Sequence, residues 1–115
     1  MMPTLEQFLA EPMKRPWNAW VKHPGWAQMY VRRGPRCIGG KIQGPVLTLA
    51  NIEVKKPGEG TLTKFLDWFH KNYGWPVVVE SVLSPRFAGW LVNNGFQVDP
   101  SAPGSFWRIA PMHDV

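Results

Sequence analysis

The chain has 115 residues, of which 44% are hydrophobic, and seven Trp and six Phe supply large side chains for a core. This length suits one domain that buries roughly two-thirds of its unfolded surface, and the composition excludes a disordered chain. Thirteen Lys and Arg against eight Asp and Glu give a net charge of +5. Such a charge favours anionic partners, namely nucleic acid, an acidic protein or the phosphates of a nucleotide cofactor, although a merely solvated basic face explains it equally well.

The cysteine content and the hydropathy pattern predict a cytoplasmic protein. The single cysteine, Cys37, cannot form an internal disulfide. No apolar run approaches the ~20 residues of a membrane span, and the start of the chain, with Glu6 and no early basic residue, does not resemble a secretion signal. The three histidines lack the spacing of metal ligands, so no metal site is predicted.

The first part of the chain, residues 1–25, predicts a helical or irregular segment. A short helix is expected over 4–10 with Thr4 as its N-cap, and 14–25 should be irregular with a short helical piece. Two strands follow, 26–33 and 36–42, separated by a turn at Gly34–Pro35 and bounded by Gly44–Pro45.

Most of the excess basic residues also lie early in the chain: Lys14, Arg15, Lys22, Arg32, Arg33, Arg36 and Lys41. Three tryptophans, Trp17, Trp20 and Trp26, lie among them. Aromatic residues between cations can stack on nucleic-acid bases, or they can cover the core of a small domain; the second interpretation is favoured.

The second half predicts a regular alternation of strands and helices. Residues 46–54 are apolar on both faces, which is typical of a central strand. A helix over 61–73 has apolar residues at i, i+3, i+4 and i+7 (Leu62, Phe65, Leu66 and Phe69). A strand over 77–82 and a helix that begins at Ser84 come next. Residues 96–98 and 106–109 form a final antiparallel pair.

These elements predict the fold class. The strand–helix–strand unit is a crossover between parallel strands, and the remaining strands are antiparallel. We therefore expect a single-domain α/β (α+β) fold with a mixed sheet. Its second half has the order β-α-β-α-β-β, and its core covers 26–110 after a shortened N-terminal region.

The segment between the central strand and the first long helix has the features of an anion site. Gly58 and Gly60 allow backbone N–H groups to converge at the start of the helix, while Lys55 and Lys56 add positive charge. A purely structural turn accounts for the glycines equally well. The segment is not a P-loop, because no Gly-Lys-Ser/Thr follows, and it lacks the third glycine of the dinucleotide fingerprint.

Two motifs at matched spacing resemble the GNAT family of N-acetyltransferases. Lys55-x-x-Gly58-x-Gly60 is similar to the family's pyrophosphate motif, Gln/Arg-x-x-Gly-x-Gly/Ala. The segment 84–96 resembles the second signature, a helix that closes in Gly-Phe before a strand, here Gly95-Phe96. The resemblance covers roughly 26–110, and 46–98 carries most of it. Glu80 falls where many members have a glutamate.

The resemblance implies an enzyme that transfers an acetyl group from acetyl-CoA to an amine, on a small molecule or a protein. Coenzyme A would lie between the strands 46–54 and 77–82, with its pyrophosphate on the N–H groups of 56–61. The implied cofactor-binding residues are Ile52, Val54, Lys55, Lys56, Gly58, Glu59, Gly60, Thr61 and Ser84. Glu53 is the candidate base, unless it faces solvent or pairs with a lysine, and Asn51 could orient the acceptor amine.

Some residues depart from the family pattern. Lys55 replaces Gln or Arg, Ser84 replaces Asn, and Leu91 stands where many members have a proton-donating Tyr. The short first half leaves little room for the two helices that usually shape the acceptor pocket. The alternative is therefore a GNAT-like domain without catalysis, which binds nucleic acid or an acidic protein through its basic N-terminal half. An exposed edge strand would also permit a homodimer.

Overall fold

In the part of the chain that the structure describes, residues 2–12 and 17–109, three helices pack on one face of a mixed six-stranded sheet. The structure is a computed structural model. Lys14, Arg15 and position 110, the end of the predicted core, lie outside the described residues. The helices are α1 (Leu5–Ala10), α2 (Thr61–Asn72) and α3 (Pro85–Asn93). The strands are β1 (Trp17–Trp20), β2 (Trp26–Ile38), β3 (Lys41–Val54), β4 (Val77–Val79), β5 (Gln97–Val98) and β6 (Phe106–Arg108).

The second half of the chain has the predicted β-α-β-α-β-β order. In the sheet the strands are ordered β1-β2-β3-β4-β6-β5, so β1 and β5 form the edges. β3 and β4 are parallel and are joined through α2, with residues 47–49 opposite 77–79. The other neighbours are antiparallel. This arrangement confirms a mixed α+β sheet with a central β3.

The first half of the chain differs from the prediction. Residues 17–20, expected to be irregular or helical, form β1 and pair with β2. The expected turn at Gly34–Pro35 is a register shift inside one continuous β2, and Gly44–Pro45 lies inside β3. A Cβ added to Gly44 would lie 3.3 Å from the Cβ of Pro35. The two segments therefore face each other across the hairpin, where a glycine leaves room for the proline ring.

The main core lies between the sheet and the helices. Buried side chains of all three helices, such as Phe8, Phe69 and Leu91, belong to one cluster together with the strand residues that face them. The predicted stripe of α2 is confirmed, because Phe65, Leu66 and Phe69 are its buried residues. The opposite face of the sheet, here called the open face, carries a smaller cluster of Ile38, Val46 and Val78 with Trp107 against it.

A buried arginine attaches the end of α1 to the sheet. Arg33 is only 3% exposed, and its guanidinium donates to the carbonyl oxygens of Leu9 at 3.1 Å and Pro12 at 3.3 Å. It also lies over the rings of Phe8 and Trp17, at 5.2 and 5.0 Å from their centroids. Trp17 itself packs on Phe8. This tryptophan therefore covers the core, as predicted. The guanidinium of Arg33 makes its hydrogen bonds and ring contacts within the molecule.

Candidate functional site

The parallel strands β3 and β4 separate after a short paired region. The last bond between them is donated by the Glu80 N–H to the Leu49 carbonyl at 3.1 Å. Ser81 follows with a φ of 58°, a left-handed conformation that is uncommon for a residue with a side chain. The Val82 N–H then donates to the carbonyl of Gly104 at 3.0 Å, so the chain turns away from β3. The two strands thus form a wedge.

A β-bulge in β3 lies where the wedge opens. Val31 of β2 pairs with Leu49, but its neighbour Tyr30 pairs with Asn51, so Ala50 is an extra residue in β3. Because of this extra residue, Leu49 before the bulge and Ile52 after it both pack in the main core. The bulge therefore reverses which residues of β3 face the helices, and it leaves Asn51 exposed on the open face.

A cleft of about 510 Å³ lies on the helix-bearing face beside the wedge. Its mostly apolar walls come from four elements: Trp26 of β2, Ile52 and Val54 of β3, Leu62 and Thr63 of α2, and Phe87 and Trp90 of α3. The buried indole N–H of Trp26 has no hydrogen-bond partner among the residues described. The volume and the apolar lining are typical of a small-molecule or cofactor site.

One end of the cleft is the turn between β3 and α2. Gly58 and Gly60 line it with positive φ values of 86° and 70°. Gly60 is the N-cap of α2 and offers no side-chain acceptor to the N–H groups of the first helical turn. These N–H groups, the positive end of the helix dipole and the adjacent Lys56 favour an anion. The cleft therefore combines an apolar body with an anion-binding end.

The structure brings most, but not all, of the predicted cofactor-binding residues together. Those that line the cleft are Ile52, Val54, Lys56, Gly58, Gly60 and Thr61. Lys55 instead lines a neighbouring cleft with Lys22, and Glu59 is exposed outside the lining. The hydroxyl of Ser84 caps α3 by accepting a hydrogen bond from the Phe87 N–H at 3.2 Å.

The candidate base Glu53 and the candidate orienting residue Asn51 do not line the cleft. Both are exposed. Glu53 lies between Ile52 and Val54, which face the helices, so it points to the open face. The sequence analysis missed five cleft residues: Trp26, Leu62, Thr63, Phe87 and Trp90. The four apolar ones have the pattern of ordinary core positions, and Thr63 is an exposed polar residue without a distinctive signal.

Glu80 forms an ion cluster on the open face with two arginines of β2. Its carboxylate accepts a hydrogen bond from Arg36 at 2.7 Å and another from Arg32. Arg36 also donates to the hydroxyl of Thr48 at 3.4 Å. Burial alone would raise the pKa of the Glu80 carboxyl, but Arg36 and Arg32 outweigh it and hold the pKa below its ordinary value. Glu80 is thus an ionised structural partner and a poor proton acceptor.

Within residues 2–12 and 17–109, no three His, Cys, Asp or Glu side chains come together as metal ligands. No helix in these residues has the length and apolar character needed to cross a membrane. A comparison of the sequence with protein-family models finds no match, and a comparison with curated proteins finds none either.

Proposed function

We propose that the cleft binds the coenzyme A portion of acetyl-CoA and that the protein is a GNAT-type N-acetyltransferase acting on an amine. The observation that carries the proposal is one arrangement: a wedge between parallel strands, with a bulged β3, opens beside the uncapped glycine turn of α2. Each feature alone has a structural explanation. Their meeting at one apolar cleft gives a site for a ligand with a phosphate end and a long arm.

The residues present fit coenzyme A at two points. Gly58, Gly60 and Thr61 would hold the pyrophosphate through backbone N–H groups, with Lys56 beside them. A side chain on either glycine would meet no atom within 4 Å, so the turn is open on that side. Past Leu49, the edge of β3 that faces away from β2 has no strand partner among the described residues. The peptide groups around Ile52 and Val54 would bond the amides of the pantetheine arm there.

Acetyl-CoA would supply a thioester, and an amine nitrogen would attack its carbonyl carbon while the carbon–sulfur bond breaks. The main contribution of this chain is to position the two partners. Among the lining residues that the structure describes, only Lys56 is ionisable, and Leu91, at the position of the family's tyrosine, is fully buried in the core. The proton of the amine would therefore pass to water, and the departing thiolate would take a proton from water, because Glu53 points to the open face, away from the cleft.

The second candidate is a GNAT-like protein that binds coenzyme A without turnover. The described part of the cleft lining contains no acid, histidine or tyrosine, which favours this candidate. Binding of nucleic acid through the basic N-terminal half has less support, because Arg33 is buried and Arg32 and Arg36 pair with Glu80. The two candidates differ in one measurement: release of the free thiol from acetyl-CoA in the presence of a panel of amines.

A thermal melt tests the binding that both candidates require. A ligand at ~100 times its dissociation constant stabilises the native state by about 2.7 kcal/mol, which should raise the Tm of a domain this size by about 10 °C. Thr63→Glu provides the matched variant, since Thr63 is an exposed cleft residue in the first turn of α2. A carboxylate there suits the helix dipole but repels phosphate.

We expect Thr63→Glu to melt at or above the native temperature without ligand and to lose most of the shift with acetyl-CoA. The neutral control Thr63→Val should keep the shift. The proposal fails if millimolar acetyl-CoA leaves the native Tm unchanged, or if Thr63→Glu responds as strongly as the native chain.

A further inference from the structure

A second cleft, of about 330 Å³, lies beside the first, and here we call it the side cleft. It lies between α2 and the loop that joins β1 to β2. Two residues, Trp26 and Thr61, line both clefts, so the side cleft begins at the turn where the phosphates of the proposed cofactor would lie.

The walls of the side cleft are aromatic. The imidazole of His23 lies 5.0 Å from the ring of Trp68 and 5.3 Å from the ring of Phe65, between centroids. The Nδ1 of His23 is 3.4 Å from a carboxylate oxygen of Glu6 on α1. Aromatic walls of this kind bind the flat face of a nucleobase, because every base can stack on them.

A lysine stands at the edge of these walls. Thr61, Lys64, Phe65 and Trp68 follow one stripe of α2, and all four line the side cleft. Lys64 is exposed and forms no ion pair with any of the described residues. Its cation therefore lies free beside the aromatic rings, one helical turn from Gly60, whose carbonyl accepts the Lys64 N–H at 3.0 Å.

We propose that the side cleft receives the nucleoside end of coenzyme A, with adenine against the His23–Trp68 wall and the 3′-phosphate on Lys64. This inference rests on the proposed function. A pyrophosphate at the glycine turn has two substituents, and the pantetheine arm takes the apolar cleft toward Phe87 and Trp90. The nucleoside would leave from the other side of the turn, where the side cleft offers a stacking wall and a cation.

Calorimetric titration with coenzyme A and with 3′-dephospho-coenzyme A tests this assignment. The native chain should bind coenzyme A about tenfold more tightly, the effect of one charge-assisted hydrogen bond. In Lys64→Gln the ratio of the dissociation constants of 3′-dephospho-coenzyme A and coenzyme A should fall close to one. In the control Lys71→Gln, which removes an exposed lysine of the same helix away from both clefts, it should stay at the native value. Adenosine 3′,5′-bisphosphate should compete with coenzyme A for the native chain.

The outcomes separate the two proposals. One outcome is that the native chain binds coenzyme A no more tightly than 3′-dephospho-coenzyme A, or that Lys64→Gln still binds coenzyme A more tightly. In either case the nucleoside lies elsewhere while the proposed function stands. If the native chain binds neither compound, the proposed function fails and this inference fails with it. Circular dichroism of each variant verifies that the exposed substitutions leave the fold intact.

Discussion

Replacing Arg33 by leucine should destabilise the fold, although the position lies on a strand that tolerates apolar residues. Two charge-assisted hydrogen bonds, to the carbonyls of Leu9 and Pro12 at 3.1 and 3.3 Å, would be lost. Each contributes about 1.5–3 kcal/mol, and the cation–π contacts with Phe8 and Trp17 add about 1 kcal/mol. Relief from the burial of a charge offsets part of this sum. We expect a net loss of about 3 kcal/mol.

Urea denaturation measures this loss and allows a control one residue away. With a slope of about 1.5 kcal/mol per molar, the midpoint of Arg33→Leu should fall by about 2 M. Arg32→Leu changes a side chain that is 47% exposed on the open face and leaves Glu80 paired with Arg36, so it should cost less than about 1 kcal/mol. Equal midpoints for the two variants would refute the argument that Arg33 stabilises the buried, helix-bearing face of β2 whereas Arg32 lies on its open face.

Two further perturbations test other parts of the structure. The pKa of Glu80 is held below the ordinary value of 4.5, so its ion pairs contribute stability that is present above pH 4.5 and is lost as pH falls through the lowered pKa. The native Tm should exceed that of Glu80→Gln at pH 7, and the margin should shrink toward pH 3; a constant margin would contradict the pairing with Arg36. Gly60→Ala should cost about 1–2 kcal/mol through its positive φ alone, whereas Gly89→Ala inside α3 should stabilise by about 0.5–1 kcal/mol. Opposite shifts of the two Tm values verify this, and shifts of the same sign would contradict it.

The second half of the fold could be predicted from the sequence because its signals are local. The apolar stripe of α2 and the Ser84-Pro85 start of α3 each specify an element within a few residues. The first half could not be predicted in this way. Its long hairpin places Pro35 at a register shift and opposite Gly44, so two residues that usually end strands are accommodated by each other. That pairing is a property of the folded sheet.

The candidate site was predicted in part for the same reason. The glycine turn is contiguous in sequence, and the turn residues Lys56, Gly58 and Gly60 do line the cleft. The orientation of Glu53 depends on the bulge at Ala50, for which the sequence has no signal. The apolar walls come from distant elements, and Phe87 and Trp90 have the spacing of ordinary core residues.

The location of acetyl-CoA is tested most directly by following backbone amide resonances during its titration into the native chain. The proposed site predicts saturable shifts for the amides of Gly58, Gly60 and Thr61 and for those of Ile52 and Val54, with little change along the hairpin turn at residues 39–40. An unchanged glycine turn, with shifts confined to other parts of the chain or with no shifts at all, would contradict it.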